Sequence, residues 1–389
     1  MTTSSIAEPI GVQRNESHMR LWAVVAIAAV VPALLMMGPV VAGQLATQMG
    51  MNASQIGLLF MSENGAMSLA TLPALYWLSR INLKQASLAF GTVFIAANLL
   101  SIWAATSDVL IGLRILSGVA GGSLTVICIA TAGTFAKPDR AYGFWVLGQL
   151  SLGAIGLTLL PRLFEVYGLG AFFMTLSILM ALCLPLMRFL PERIQGKASK
   201  SASKASLWSL KPICGLAAVL FFYISLNGTW TFMGTLAGEV GINPQVSGDI
   251  LAIATLFGIG GALIAAFMGG RRSYKIPLII GYLVMVFSVL ALLAEPDVLR
   301  YSLAAFAFKF TWTFVLPFIL ASLARLDSNG QIMNLSNLVI GGGLAIGPML
   351  AGQIIETLSG VETFLYVAAA LTITSLLLML SLQKTKQEG

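Results

Sequence analysis

The chain has 389 residues, 58% of them hydrophobic and 10% charged, with a formal net charge of +7. A water-soluble domain carries about a quarter charged residues, so this chain has too little polar surface for water and must meet lipid instead. The basic excess does not point to nucleic acid, because it sits in short loops between apolar runs rather than on one phosphate-binding face.

A membrane span needs about twenty mostly apolar residues. Residues 1–20 are polar, with Arg14, His18 and Arg20. The apolar stretch after them is long enough to span, contains Pro32 and Pro39, and shows no cleavable signal, so it is predicted to stay as the first helix. Spans are predicted near 21–45, 54–79, 84–106, 108–135, 142–165 and 168–190, then near 210–235, 246–269, 275–294, 298–325, 332–357 and 361–383. Turns such as Met49-Gly50-Met51-Asn52 and Glu295-Pro296-Asp297 separate them. The result is an all-α membrane protein with about twelve transmembrane helices, an even number that puts both termini on one side.

Loop charge predicts which side. With the termini in the cytoplasm, Arg80, Lys84, Lys137, Arg140, Arg271, Arg272 and Arg325 fall inside, and only Arg162 and Arg300 fall outside. The positive-inside rule therefore favours both termini in the cytoplasm, and the compact loops suit a bacterial inner (plasma) membrane.

Residues 191–209 read PERIQGKASKSASKASLWS, a composition that cannot bury a core. They are predicted to be a cytoplasmic linker between two six-helix bundles, 21–190 and 210–383, with cytoplasmic tails at 1–20 and 384–389. The halves share an order of features. A shift of about 192 residues lays Gly168 on Gly360 and Phe172 on Phe364, and a shift of about 194 lays Gly153 on Gly347. This suggests parallel repeats about an axis along the membrane normal.

Twelve spans, a basic central loop and two six-helix halves resemble the major facilitator superfamily (MFS). That family's loop between spans 2 and 3 usually reads Gly-x-Leu-x-Asp-Arg-x-Gly-Arg-Lys. Here Arg80 and Lys84 match, while Ser79 replaces the Asp and Asn82 the Gly. The equivalent loop after span 8 keeps Gly270-Arg271-Arg272 without the acid. The resemblance makes Arg80, Lys84, Arg271 and Arg272 candidate gating-loop residues. Span 4 carries Arg114 followed by Gly118, Gly121 and Gly122, similar to the family's Arg-x-x-x-Gly pattern, whose Arg faces the central cavity. The family's antiporter Gly-Pro pair is missing from span 5 and occurs in span 11 as Gly347-Pro348.

Charges inside spans cost about 2.5–3.5 kcal/mol each on the lenient scales, so each needs a partner, a wet cavity or a function. Three stand well inside: Glu63, Arg114 and Lys309. At about 1.5 Å per residue, Glu63 lies roughly 13 Å and Arg114 roughly 9 Å from the end opposite the termini, and Lys309 near the midplane. Glu63 and Arg114 are thus at depths that allow pairing. Glu63, the carboxylate clearly within the hydrocarbon region, is the candidate for proton coupling. The resemblance implies that Arg114 and Lys309 stand on opposite walls of one cavity. Two cations and one carboxylate would leave it positive and suited to an organic anion. Tyr223, Asn227 and Trp230 of span 7, and Trp312 beside Lys309, are further candidate substrate contacts. For Trp230, packing in an interfacial aromatic belt explains the ring equally well.

The sequence has no phosphate loop, no dinucleotide fingerprint outside the spans and no metal-ligand cluster, so no enzyme activity, cofactor or metal is expected. Cys128, Cys183 and Cys214 have no ligand spacing and read as packing residues. The predicted function is secondary active transport, by alternating access and coupled to protons, of a small organic anion or amphipathic metabolite. The alternative is a proton-driven drug or hydrophobic-metabolite efflux antiporter. The expected partners are the small-molecule substrate, protons and the bilayer, with no nucleic acid, and the chain is expected to be a monomer.

Overall fold

A backbone crossing lipid must satisfy its own polar groups, and runs of about twenty apolar residues do so as helices. The computed structural model describes residues 10–194, 210–268, 273–327, 331–357 and 360–383. It contains α1 (Ile10–Val30), α2 (Ala33–Met36), α3 (Gly38–Met49), α4 (Ala53–Leu69), α5 (Thr71–Trp77), α6 (Leu83–Ser101), α7 (Ser107–Ala132) and α8 (Pro138–Tyr167). Helix α9 (Gly170–Cys183) runs on as a 3₁₀ turn, Leu184–Phe189. The second half holds α10 (Leu210–Glu239), α11 (Pro244–Phe267), α12 (Lys275–Leu290), α13 (Val298–Ala324), α14 (Gln331–Thr357) and α15 (Val361–Leu382).

Nine helices among the described residues are long and apolar enough to cross a membrane. Three more crossings complete the set: α1–α3 broken around Pro32 and Met37, α4–α5 broken at Ala70, and the shorter α12. The twelve form two bundles of six. Helix α1 begins at Ile10, because backbone hydrogen bonding continues past the point where apolar residues stop. Residues 195–209 and 384–389, and Arg271 and Arg272, lie outside the described residues.

Turns on the side away from the termini, called distal below, are set by side-chain caps. Asn52 accepts from the Gln55 amide while the Gln55 side chain accepts from the Asn52 amide. Thr106, Asn243 and Asp297 cap α7, α11 and α13. Gly50 ends α3 with φ of 62°, a left-handed conformation that glycine adopts without steric cost.

The bundles meet along three seams, α4 with α14, α3 with α10 and α8 with α11. Small residues bring the backbones together: a methyl added at Gly57 would strike the Pro348 carbonyl, and one at Gly352 the Ala53 carbonyl. The distal seam is also tied by polar groups. The Ala53 amide donates to Glu356 Oε2 at 3.3 Å, Gln245 Nε2 donates to the Thr158 carbonyl at 3.0 Å, and Arg162 faces Asp249 at 3.9 Å. These contacts hold the two bundles together at their distal ends.

Candidate functional site

Glu63 on α4 and Arg114 on α7 form an ion pair of 3.3 Å with side chains 5% and 0% exposed. The helices approach closely enough for this because a methyl at Gly118 would strike the Glu63 carbonyl and one at Gly122 the Met67 carbonyl. Arg114 holds more than the carboxylate. Its guanidinium donates to Asn98 Oδ1 at 3.1 Å, Ser101 Oγ at 2.6 Å and the Ala97 carbonyl at 3.4 Å, all on α6. The Phe173 ring of α9 lies 4.6 Å from its Cζ. Asn98 and Ser101, three residues apart, share one face of α6 and were missed in the sequence. The signal was there, since two polar side chains in an apolar span need a buried partner.

Lys309 on α13 is 2% exposed, and its ammonium sits 3.8 Å from the centroids of both Trp230 and Trp312. The two indoles are nearly perpendicular, at 77°, so the cation occupies the corner between their faces. No carboxylate lies within ion-pair distance of it among the described residues. Each desolvated cation–π contact is worth about 2 kcal/mol, which offsets part of the burial cost without neutralising the charge. Gly258 of α11 packs against the Lys309 stem, where a methyl would come within 3.2 Å of Cγ.

The two cations do not stand on opposite walls of one cavity. Arg114 points into the first bundle, where α4, α6 and α9 surround it, and Lys309 is held among α10, α11 and α13 of the second. The short side chains of Asn98 and Ser101 leave room for the guanidinium inside its own bundle, and the ion pair with Glu63 fixes it there.

The span-7 residues also diverge. Trp230 joins Lys309, whereas Asn227 Nδ2 donates to the Leu344 carbonyl of α14 and Tyr223 packs edge-on to Phe222. Asn227 keeps Oδ1 buried and without a partner among the described residues. Of the loop cations, Lys84 pairs at 3.3 Å with Glu192, just past the first bundle, and Arg80 lies exposed 3.6 Å over the Tyr76 ring. Cys128 and Cys183 are buried free thiols and Cys214 is half-buried. No group of His, Cys, Asp and Glu among the described residues could hold a metal ion.

On the distal side of Trp230, a cavity of about 470 Å³ opens between α3, α8, α10 and α11, with Glu165 and Glu239 at its edge and Pro39 and Gly234 in its wall.

Residues 23–326 match the family model described as Major Facilitator Superfamily. No curated protein sequence matches the chain significantly. Solved structures do. The nucleoside transporter NupG has a TM-score of 0.69 at 12% identity, covering 95% of this chain and 100% of that one. The POT family transporter PepTSo has a TM-score of 0.74 at 11% identity, covering 95% and 99%. A POT family transporter in complex with a thioalcohol-conjugated peptide has a TM-score of 0.73 at 13% identity, covering 95% and 97%. At these identities the likeness is one of fold.

Proposed function

Since the chain belongs to the major facilitator superfamily, and is therefore a multi-pass membrane transporter, we propose that it carries a small organic anion across the membrane by proton-coupled alternating access. The observation that carries the anion is Lys309, a buried ammonium with two indole faces and no carboxylate beside it. An arriving carboxylate gains charge-assisted hydrogen bonds of about 1.5–3 kcal/mol each from the ammonium. One such bond matches a cation–π contact of about 2 kcal/mol, and two exceed it, so binding favours an anion even if one ring moves away. The rings suit an aromatic or apolar body on that anion. The nucleosides and the conjugated peptide named for the fold's neighbours differ enough that fold alone does not choose the substrate.

Glu63 is the proposed proton site. Arg114 keeps three neutral acceptors on α6 and one ring when Glu63 takes a proton, so the carboxylate can change charge without leaving the guanidinium bare. The loop charges support cytoplasmic termini in a bacterial inner membrane, which makes the distal side the external one.

The test is pH-dependent uptake and efflux in proteoliposomes, with a panel of aromatic and aliphatic carboxylates, wild type against Lys309→Ala. A carboxylate that moves with the proton gradient in the wild type and not in the variant is the expected result. If cationic or neutral dyes move and no carboxylate does, the anion reading is wrong and drug efflux replaces it. Glu63→Gln is expected to transport with a flattened pH dependence; an unchanged profile removes Glu63 as the proton site.

A further inference from the structure

Proline has no amide hydrogen, so in a helical crossing, at a break or within a helix, the carbonyl four residues before it has no partner at that position. In lipid such a carbonyl must be satisfied by a neighbour. Three of these orphans are met by side chains here. Pro32 frees the Ala28 carbonyl, which accepts from Gln149 Nε2 at 3.1 Å within the first bundle. Pro348 frees the Leu344 carbonyl, which accepts from Asn227 of its own bundle and from Asn64 Nδ2 of the other at 3.5 Å. Pro39, in the first turn of α3, offers no amide to the Leu35 carbonyl at the end of α2, which accepts from Trp230 Nε1 at 2.9 Å across the seam between α2–α3 and α10.

Trp230 thus touches two things at once. One face of its ring carries the Lys309 ammonium, and its edge holds a backbone carbonyl of the opposite bundle. The ring is completely buried, and its Cδ1 lies 3.8 Å from where a methyl on Gly38 would sit. A methyl at Gly234, one turn further along α10, would strike the Pro39 carbonyl. The indole is wedged beside a close backbone approach between the two bundles.

We propose that Trp230 is a positioning residue that ties the state of the Lys309 site to closure of the distal seam, using the Leu35 carbonyl that Pro39 leaves free. When Lys309 turns to another partner, the ring loses its charged contact, and the tie to Leu35 weakens with it. When the seam opens, Leu35 releases the indole, and the ring no longer holds the ammonium in place. The tie itself does not depend on which substrate the site takes, so its test runs without substrate. Failure of the anion reading leaves that test intact.

The experiment measures the rate at which a maleimide reacts with Ser54→Cys in nanodiscs, all three native cysteines being replaced by alanine. Ser54 is half-buried in the seam, its hydroxyl 3.4 Å from the Gly352 carbonyl, so a rise in rate above the wild-type background reports opening of the seam. Trp230→Phe keeps a ring and removes the N–H. Pro39→Ala places an amide four residues past Leu35, at the start of α3, where it can compete with the indole for the Leu35 carbonyl. Each is expected to raise the rate about two- to tenfold, the weight of one hydrogen bond, and the double variant no more than the larger single effect. Lys309→Met should also raise it. Pro32→Ala should not, because its freed carbonyl is satisfied inside one bundle. A chain that keeps Cys128 as its one thiol, buried in the first bundle, reports general loosening. The proposal is overturned if Pro39→Ala or Trp230→Phe leaves the Ser54→Cys rate unchanged, or if Pro32→Ala raises it equally. It is overturned as well if the double variant is additive, if Lys309→Met has no effect, or if Cys128 reacts faster in step.

Discussion

The ion pair between Glu63 and Arg114 gives a graded test of what holds the first bundle together. Glu63→Leu removes the carboxylate and leaves a fully buried guanidinium with Asn98, Ser101, the Ala97 carbonyl and the Phe173 ring. Stranding one partner of a buried pair costs about 3–5 kcal/mol. Glu63→Gln removes the charge but keeps an oxygen that accepts from Arg114. The loss should then be an ion-pair bond exchanged for a guanidinium bond to a neutral oxygen, about 1 kcal/mol. The two variants should differ by about 2–4 kcal/mol. Adding Arg114→Leu to Glu63→Leu removes the stranded charge and should recover part of the loss, because an apolar pair needs no partner. The assay is thermal unfolding in detergent followed by a thiol-reactive dye, for which the buried Cys128 and Cys183 are internal reporters. The expected order of Tm is wild type, then Glu63→Gln, then the double variant, with Glu63→Leu lowest. Equal Tm for Glu63→Leu and Glu63→Gln would refute the reasoning, since it would mean that the α6 acceptors hold Arg114 alone.

Three further outcomes follow from the same geometry. Gly57→Val should force α4 off α14, because the added carbons meet the Pro348 carbonyl, and should raise maleimide reaction at Ser54→Cys more than Gly43→Ala, where a methyl meets open space. Exchanging the charges of Arg162 and Asp249 should change Tm by less than about 1 kcal/mol equivalent, since both side chains are largely exposed, at 59% and 40%, and 3.9 Å apart. Trp312→Phe should retain more of the Lys309-dependent transport than Trp312→Leu, because phenylalanine keeps a ring face for the ammonium and leucine does not; equal activities would remove the cation–π contact from the site.

The fold was legible because lipid imposes one rule on every span, and twelve apolar runs state it twelve times. The three intramembrane charges were legible for the same reason, each being too costly to be accidental. What the sequence hid was direction. Arg114 was expected in the central cavity, yet Asn98 and Ser101 turn it into its own bundle, and a helical position alone does not say which neighbouring helix supplies the acceptors. Asn227 and Trp230, three residues apart on span 7, are both candidate substrate contacts in the sequence. In the fold, α14 draws one away and Lys309 with α2 holds the other. Pro39 and Pro348 were visible within their spans. Their partners were not, because a freed carbonyl is capped by whatever donor a separate helix happens to bring.

The two candidate sites lie in different bundles, so any coupling between proton and substrate must cross the seam. Both have a crossing at hand. Glu63 is followed directly by Asn64, whose amide reaches the Leu344 carbonyl of α14, where Asn227 also donates. Lys309 is one indole away from the Leu35 carbonyl. On the proposed mechanism, protonation of Glu63 alters the pull of Arg114 on α4 and with it the setting of Asn64. Substrate at Lys309 alters the setting of Trp230. Each event then acts on a bond between bundles through a single neighbouring group, and the two bonds fall on the α4–α14 and α2–α10 contacts of the same closed interface. If that is how coupling travels, Asn64→Leu should reduce proton-driven accumulation of substrate while sparing its downhill exchange. Equal loss of both in proteoliposomes would mean that Asn64 serves only to pack the seam.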